Sequence, residues 1–230
     1  MSPSTVNEQD EKRGHDFGHD IIPSVFQRSR VFAFTLQSPV DGLEPYWKDV
    51  GTIEAYFESS LELLNEQSPF RLNDPAWPIR SYKPNLVPAI VLADKKIQQN
   101  GYIRNAMLCA GSVVSDAQIS KCIIGYDSRV ASGCQLSDSI LLGNVRIGKN
   151  SVLNRVIVDK HSRIGDGVRI GFDQEIDRAR GFTISKNGIT VIPKNTIVET
   201  SEKPKIRVLA SGSVRPAIFS GNGSSRVRLD

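Results

Sequence analysis

The sequence repeats between residues 111 and 170, which read GSVVSDAQISKCIIGYDSRVASGCQLSDSILLGNVRIGKNSVLNRVIVDKHSRIGDGVRI. A small or apolar residue, one intervening residue and an aliphatic residue recur along this stretch. The pairs are Gly111/Val113, Ala117/Ile119, Cys122/Ile124, Ser128/Val130, Cys134/Leu136, Ile140/Leu142, Val145/Ile147, Ser151/Leu153, Val156/Val158, Ser162/Ile164 and Val168/Ile170. The aliphatic member returns every five or six residues. This period is typical of a hexapeptide β-helix, in which each hexad forms one short strand and one corner.

Three hexads form one triangular coil, so these pairs predict nearly four coils. A β-sandwich is the alternative, but its turns are expected every 8–12 residues rather than every six. We therefore predict a mainly β chain with a left-handed parallel β-helix over residues 105–200. The side chains expected to be buried in it are Ile119, Ile124, Val130, Leu136, Leu142, Leu153, Val158, Ile164 and Ile170.

Three further segments have distinctive compositions. Residues 1–12 are polar and charged, and we expect them to be disordered because they cannot bury enough apolar surface. Residues 67–104 contain five prolines, which disfavour helix and central strand and predict an extended connector. Residues 201–230 combine serine and glycine with scattered basic residues, and we expect a basic flexible tail.

Residues 13–66 are predicted to be mixed α and β. Val31–Leu36 is rich in β-formers and is predicted to be a strand. Ile53–Asn65 has apolar residues at helical spacing, and Thr52 is a suitable N-cap for that helix. Two or three such elements are too few for a self-sufficient domain.

The charge balance disfavours a nucleic-acid-binding surface. Six of the 29 lysines and arginines and two of the 25 acids lie after residue 200, so 23 of each sign remain before it. A neutral body lacks the basic patch that nucleic-acid binding needs. Because no apolar run approaches the ~20 residues of a membrane helix, and acids occupy the start of the chain, we expect neither membrane insertion nor secretion.

The cysteines and histidines offer few chemical sites. Cys122 and Cys134 occupy small inward positions and are predicted to fill the core. The three cysteines form no CxxC pair, which is consistent with a reducing cytoplasm. His15 and His19 superficially resemble a metal pair, but no third ligand lies at metal spacing. His161 is expected to point out of the coil, either as a corner residue or as the general base of a hexapeptide-repeat acyltransferase.

The segment EPYWKDVGT at Glu44–Thr52 places a lone acid between two aromatic residues and a helix. Asp49 could hold a metal at the edge of a sheet, or it could tie down a turn. The residues alone leave both interpretations open.

Five motifs resemble glucose-1-phosphate adenylyltransferase of bacterial glycogen synthesis. They are HDFGHDIIP at His15–Pro23, EPYWKDVGT at Glu44–Thr52, WPIR at Trp77–Arg80, RARGF at Arg178–Phe182 and GITV at Gly188–Val191. They occur in the order of that family, and the resemblance covers about residues 13–200. It implies that a truncated α/β nucleotidyltransferase remnant precedes the β-helix.

The resemblance also implies site residues. Asp49 matches the second of two aspartates that hold Mg²⁺ at the triphosphate of ATP. Asp16 matches a position beside the glucose 1-phosphate pocket, and Trp47 lies near the same site. Arg180 resembles an arginine that receives an allosteric sugar-phosphate or nucleotide effector. The family implies a cytoplasmic homo-tetramer.

One departure from the family pattern bears on activity. The glycine-rich nucleotide loop GxGxRLxPLT is absent from the sequence, as are the first metal-binding aspartate and the lysine that grips the sugar phosphate. No complete catalytic set is therefore expected, and we predict a partial form that is inactive alone. The alternatives are an acyltransferase that uses His161 and a non-catalytic β-helix for regulation or oligomerisation.

Overall fold

The computed structural model describes most of the chain. The described residues are 16–37, 46–68, 70, 72, 74–75, 78–80, 85–93 and 101–200, with the backbone of 207–208. The predicted disorder of residues 1–12 and nearly all of the predicted tail at 201–230 lie outside them. The chain divides into two compact units, Met1–Trp47 and Lys48–Asp230.

Short parallel strands make up most of the second unit. Within the described residues the strands are β1 (Ile90–Leu92), β2 (Tyr102–Leu108), β3 (Val113–Ser115), β4 (Gln118–Ile124), β5 (Arg129–Val130), β6 (Gln135–Leu141), β7 (Arg146–Ile147), β8 (Val152–Asn154), β9 (Val156–Val158), β10 (Arg163–Ile164), β11 (Arg169–Ile170), β12 (Thr183–Ile184), β13 (Thr190–Ile192), β14 (Thr196–Val198) and β15 (Arg207–Val208). The helices are α1 (Ile22–Phe26), α2 (Ile53–Glu62) and α3 (Gln174–Ala179), and a π-helical turn at Phe17–Ile21 precedes α1.

The strands pair into the three faces of a parallel β-helix. The first face has the order β1-β3-β5-β7-β10-β14. β2, β4 and β6 each serve two faces, because β6 pairs through its first half with β8 and through its second half with β9. Ile119 pairs with Leu136, and Leu136 pairs with Leu153, so one coil takes 17 residues. The predicted β-helical fold is confirmed.

The core consists of three stacks of aliphatic side chains, one from each face. On the first face the stack is Val114, Val130, Ile147, Ile164 and Val198. On the second face it is Ile103, Ile119, Leu136, Leu153 and Ile170. On the third face it is Leu108, Ile124, Leu141, Val158 and Ile192. Each side chain packs on its neighbour in the next coil, so the apolar core continues along the coil axis.

Two inward positions differ from the prediction by one residue. Leu141 is fully buried in the coil, whereas the predicted Leu142 is partly buried in a separate cluster outside it. Val114 likewise takes the place assigned to Val113. Because residues 140–142 are all aliphatic, the sequence pattern does not show which of them points into the coil. Pairing with Ile124 decides it, because that pair places Leu141 in the third stack.

The corners require left-handed backbone, and asparagine or aspartate often supplies it. One corner stacks Asp127, Asn144, His161 and Asn195, whose φ angles lie between +50° and +62°. The backbone N–H of each donates to a carbonyl of the preceding coil, as from His161 N to Gly143 O at 3.1 Å. These bonds join the coils at their corners.

The predictions for the flanking elements had mixed outcomes. α2 begins at Ile53 as predicted, and the Thr52 side chain caps it by accepting from Ala55 N at 3.1 Å, but the helix ends at Glu62. The strand predicted at Val31–Leu36 is wrong, because these residues pair with no described strand. β1 and the start of β2 fall within the predicted connector, so β-helical pairing begins before residue 105. In the described part of the chain, no helix combines the length and apolarity needed to cross a membrane.

The two buried cysteines should resist thiol reagents. Burial raises the pKa of Cys122 and Cys134 to about 11, and each Sγ donates to a backbone carbonyl. At pH 8 a thiol with that pKa is only about 0.1% thiolate, which is the reactive form. We expect a chromogenic disulfide reagent at pH 8 to modify half-buried Cys109 first and the other two only after denaturation. A Cys109→Ser control should then show no fast phase, and rapid labelling of two thiols in that variant would contradict the buried placement.

Candidate functional site

In the first unit, Asp16 acts as a helix cap. Its Oδ1 accepts from His19 N at 2.6 Å, and its own N–H donates to Asp20 Oδ2 at 3.0 Å. Trp47 is 75% exposed and has no described hydrogen bond to Asp16. The expectation that His15 and His19 do not form a metal pair stays a prediction, because His15 lies outside the described residues.

In the second unit, Asp49 forms a turn before α2. Its exposed carboxylate accepts through Oδ1 from Gly51 N at 2.9 Å, which supports the turn interpretation of this acid. Gly51 suits this close approach, since a Cβ there would lie 3.1 Å from Asp49 Oδ1. No cluster of three metal-ligating side chains occurs in the described part of the chain. One exposed carboxylate does not by itself fit a resident divalent ion, which needs several oxygen ligands.

α2 is packed against the outside of the β-helix. Phe57 and Leu61 are buried together with Ile140, Ile157 and Ile189 of the coil. Burying two such side chains contributes about 1.5–3 kcal/mol each. These contacts fix α2 against the outside of the β-helix.

Polar contacts also hold α2 against the β-helix. The Arg155 guanidinium lies 5.7 Å from the centre of the Phe57 ring. Asn187 N donates to Glu54 Oε1 at 3.4 Å. Hydrogen bonds from the backbone N–H of Glu54 itself, and then from the side chain of Ser185, lower the pKa of Glu54. The acid thus stays ionised at the start of the helix, where the helix dipole favours negative charge.

Arg180 lies at the end of α3, where the chain leaves the regular coil. Its Nη1 donates to Asp177 Oδ1 at 3.1 Å and to Arg169 O at 2.7 Å. Asp177 is 1% exposed, and its Oδ2 accepts from Gly171 N at 2.8 Å and Thr190 Oγ1 at 3.3 Å. This carboxylate therefore joins the end of β11, α3 and β13.

Gly171 fixes the direction in which the chain leaves β11. Its φ is +85°, and a Cβ at this position would lie 1.8 Å from Asn154 O. Only glycine fits such an approach without displacing the backbone. The segment that leaves the coil and forms α3 therefore begins with a fixed backbone direction at Gly171.

A cavity of about 310 Å³ lies beside Arg180. Its lining includes Arg169, Phe172, Ile176 and Thr200, and the Arg169 guanidinium stacks 4.6 Å from the centre of the Phe172 ring. Nε and Nη2 of Arg180 donate to no described residue. The cavity thus offers guanidinium groups to an anion, next to the acids Asp173 and Asp177. No described hydrogen bond or ion pair joins Arg180 to Asp49.

His161 lies at a β-helix corner and is half-buried. Its Nδ1 is buried without a hydrogen-bond partner among the described residues. A histidine general base is normally oriented by a third group on its second nitrogen. The described surroundings of His161 supply no such group, which favours the corner interpretation over acyl transfer.

The comparisons with known proteins match this chain in two segments. Residues 4–66 match the family model described as nucleotidyl transferase, and residues 87–192 match the one described as GlmU-like, C-terminal hexapeptide. A glucose-1-phosphate adenylyltransferase of Aliivibrio fischeri is 41% identical over 189 residues, or 80% of this chain. One of Vibrio vulnificus strain YJ016 is 42% identical over 193 residues, and one of Rhodopirellula baltica is 36% identical over 186. The resemblance to the glucose-1-phosphate adenylyltransferases is confirmed.

The match to the glucose-1-phosphate adenylyltransferases is partial. The aligned residues cover 45%, 46% and 42% of these three relatives. The chain thus spans about half the length of the curated relatives it matches, and α2 lies in the segment that matches the nucleotidyl transferase model.

Sequence reasoning missed Asp177 in this glucose-1-phosphate adenylyltransferase-like chain. The acid stands next to Arg178 in a polar stretch, and a surface position is the usual expectation for it. The weak signal available was its position three residues before Arg180, which allows an ion pair within one helical turn. Its carboxylate accepts hydrogen bonds from Gly171 and from Thr190 of β13, and local sequence does not report these contacts.

Removing the Asp177 carboxylate should destabilise the second unit. Asp177→Ala leaves the Arg180 guanidinium unpaired at a largely buried position and deprives Gly171 N and Thr190 Oγ1 of an acceptor. We expect the free energy of unfolding to fall by about 3 kcal/mol. Denaturant titration followed by circular dichroism measures it, with Arg178→Ala on the exposed side of α3 as control. Equal stability of both variants would show that the carboxylate network contributes little.

Proposed function

We propose that this chain supplies the β-helix and the end of the nucleotidyltransferase domain of a glucose-1-phosphate adenylyltransferase. The reaction it would serve converts ATP and glucose 1-phosphate to ADP-glucose and pyrophosphate. The packing of α2 against the β-helix is the observation that supports the proposal. A helix from the nucleotidyl transferase match is fixed there through Phe57 and Leu61 to the hexapeptide match.

In this proposal the phosphate oxygen of glucose 1-phosphate attacks the α-phosphorus of ATP. The new P–O bond forms as the bond to the leaving pyrophosphate breaks, so positioning and charge stabilisation supply most of the catalysis. Asp16 and Trp47 would border the sugar phosphate, and Asp49 would offer one carboxylate near the triphosphate. The family expectation is Mg²⁺, but no metal-dependent step is assigned to this chain, because Asp49 lacks partner carboxylates among the described residues.

Complementation tests the proposal. The chain is co-expressed with the part of the Aliivibrio fischeri relative that it does not match, and ADP-glucose formation is measured with both substrates. We expect the pair to turn over. Phe57→Asp should abolish turnover, because a carboxylate in the buried contact would separate α2 from the β-helix. Glu58→Gln, at an exposed position of the same helix, is the control and should leave turnover intact. Unimpaired turnover by Phe57→Asp would show that the packing of α2 on the β-helix is not needed for activity.

We further propose that the cavity beside Arg180 receives an anionic sugar-phosphate or nucleotide effector. Arg169 and Arg180 present guanidinium groups to it, and such groups match phosphate oxygens in a bidentate geometry. Phe172 adds an aromatic face for an apolar part of the ligand. The carboxylate of Asp177 keeps Arg180 in place through Nη1 while Nε and Nη2 remain for the ligand.

Replacing Arg180 should weaken the effector response. In an intact relative that carries residues 167–200 of this chain, Arg180→Ala should reduce activation at least tenfold and leave the basal rate nearly unchanged. Arg178→Ala is the matched control, because it removes an exposed guanidinium from the same helix that does not line the cavity. Unchanged activation in Arg180→Ala, or equal loss in both variants, would remove Arg180 from the proposed effector site.

A non-catalytic module for regulation or oligomerisation is the second candidate. The continuous aliphatic core of the β-helix favours it, since that core is independent of the candidate substrate residues. We propose a cytoplasmic homo-tetramer in either case. Sedimentation equilibrium should then give four times the chain mass of 25.3 kDa, and a monomer would contradict the tetramer.

A further inference from the structure

The first face of the β-helix carries a row of arginines on its outer surface. Arg129, Arg146 and Arg163 lie in register on β5, β7 and β10, which are neighbouring parallel strands. Val130 and Ile164, the next residues along two of these strands, lie in the core. Because side chains alternate between the two sides of a strand, the arginines point outward. We call these three residues the arginine row.

Among the described residues, only the middle arginine of the row has an acidic partner. Arg146 Nη2 lies 3.0 Å from Asp127 Oδ2, and Arg146 Nη1 donates to Asp127 O. Arg129 and Arg163 are exposed, and within the described chain neither side chain has a hydrogen bond or an ion pair. Like charges directly opposite each other on neighbouring strands destabilise a sheet. A bound anion would therefore stabilise the row.

The corner that precedes these strands adds further positive charge. Lys160 and Lys194 are exposed there, and neither side chain has a partner in the described part of the chain. The acid nearest to them in sequence is the partly buried Asp159, whose Oδ1 accepts from Lys160 N at 2.6 Å. Asp166 and Glu199 are exposed acids at the other ends of the strands. The excess of positive charge thus lies on the row and on the lysine corner.

The register of the sheet continues the row beyond β10. The strand order is β5-β7-β10-β14-β15, and Arg207 of β15 lies opposite Ile197 of β14. Ile197 in turn lies opposite Arg163, so Arg207 holds the position two strands further along the row. Neighbouring strands are about 4.8 Å apart, so these five strands span about 19 Å. A single phosphate is much shorter than this distance, whereas a chain of phosphates can follow it.

We propose that the arginine row binds a linear chain of phosphates, with inorganic polyphosphate as the fitting ligand. Guanidinium groups match phosphate oxygens in a bidentate geometry. Anionic oxygens recur along the whole length of such a chain, so the ligand needs no fixed spacing to reach each arginine. Ala131, Gly148 and Gly165 follow the arginines by two residues, and their small size leaves the surface beside the row unobstructed. The site uses none of the residues assigned to the substrates or the effector.

Other anionic partners fit the row less well. Sites for single-stranded nucleic acid combine cations with several aromatic side chains on which the bases stack. Along the described strands and corners of this face, Tyr126 is the one aromatic residue. Protein partners are usually anchored by aromatic and apolar side chains at the centre of the interface, and the centre of the row carries arginines. A second copy of the chain would oppose like charges.

Binding of polyphosphate to the full chain tests the proposal. Fluorescence anisotropy of a labelled polyphosphate of defined length measures affinity, and orthophosphate at equal total phosphate serves as competitor. We expect polyphosphate to bind at least tenfold more tightly than orthophosphate and to raise the melting temperature. Arg129→Gln/Arg163→Gln should weaken binding at least tenfold, abolish the rise in melting temperature, and reduce the slope of log affinity against log salt by about 1–2. Arg129→Lys/Arg163→Lys should restore most of the binding.

Two control variants separate the row from other cationic sites. Arg178→Gln removes an exposed guanidinium from α3, and Arg180→Ala alters the candidate effector cavity; both should bind polyphosphate like the parent. Equal binding by the parent and the double glutamine variant would overturn the inference, as would loss of binding in Arg180→Ala.

Two further ligands decide the class of partner. Tighter binding of an oligothymidylate with the same number of phosphates would assign the row to single-stranded nucleic acid and overturn the inference. Tighter binding of polyglutamate would assign it to an acidic protein, with the same consequence. None of these assays measures ADP-glucose, so failure here leaves the proposed function intact, and absence of ADP-glucose formation leaves this inference intact.

Discussion

Leu136→Asp is expected to unfold the β-helix. Leu136 is 2% exposed in the second stack, between Ile119 and Leu153 of the neighbouring coils. A carboxylate at this position would be buried without a cationic partner or hydrogen-bond donors, at a cost of several kcal/mol. Since domains are stable by only about 5–15 kcal/mol, most or all of the stability would be lost. Far-ultraviolet circular dichroism during urea titration measures the effect.

The neighbouring residue supplies the control. Gln135 is exposed on the same strand, so Gln135→Asp introduces the same charge into water and should melt like the parent. The register is tested further by Leu141→Ala, which should cost about 2–5 kcal/mol, against a smaller loss for the partly buried Leu142. If Leu136→Asp unfolded at the same urea concentration as the parent, the stacking order of the core would be wrong.

The chain alone is expected to make no ADP-glucose. It offers Asp49 as one exposed carboxylate, and the sequence contains no glycine-rich loop to hold the triphosphate of ATP. Mg²⁺ gives up its waters reluctantly and is usually shared between carboxylates and phosphates, so one carboxylate organises ATP poorly. Positioning of bound reactants can supply roughly 7–11 kcal/mol of catalysis, and that contribution is lost when ATP has no site.

A pyrophosphate-release assay with ATP, glucose 1-phosphate and Mg²⁺ should therefore give only the background rate. Adding the missing portion of a relative should restore turnover, and Asp49→Asn in the restored enzyme should abolish it again. Glu58→Gln on the exposed side of α2 controls for the loss of a nearby charge. Clear turnover by the 230-residue chain alone would refute the view that it is a partial form.

Local pattern predicted the β-helix because the fold is itself repetitive. Each hexad carries its own inward aliphatic residue and its own corner, so the information lies within a few residues of where it acts. The cap of α2 was predictable for the same reason, since Thr52 contacts an amide only three residues ahead. The resemblance to the family was also carried by short contiguous motifs such as EPYWKDVGT.

Long-range pairing decided what local pattern left open. The strand predicted at Val31–Leu36 has the right composition but no described partner, and a strand exists only through a neighbour's hydrogen bonds. The buried Asp177 carboxylate accepts from Gly171 N and Thr190 Oγ1, and only the tertiary fold brings these two groups together.

The sequence by itself determined the repeating coil, the helix start at Thr52 and the candidate residues Asp16, Trp47, Asp49 and Arg180. Their chemistry depends on neighbours, and tertiary structure decided those. It placed Asp49 in a turn with Gly51 and the Arg180 guanidinium against Asp177. It also placed Leu141, rather than Leu142, in the core of the coil. Three adjacent aliphatic residues satisfy the sequence pattern equally, and only the pairing with Ile124 in the preceding coil distinguishes them.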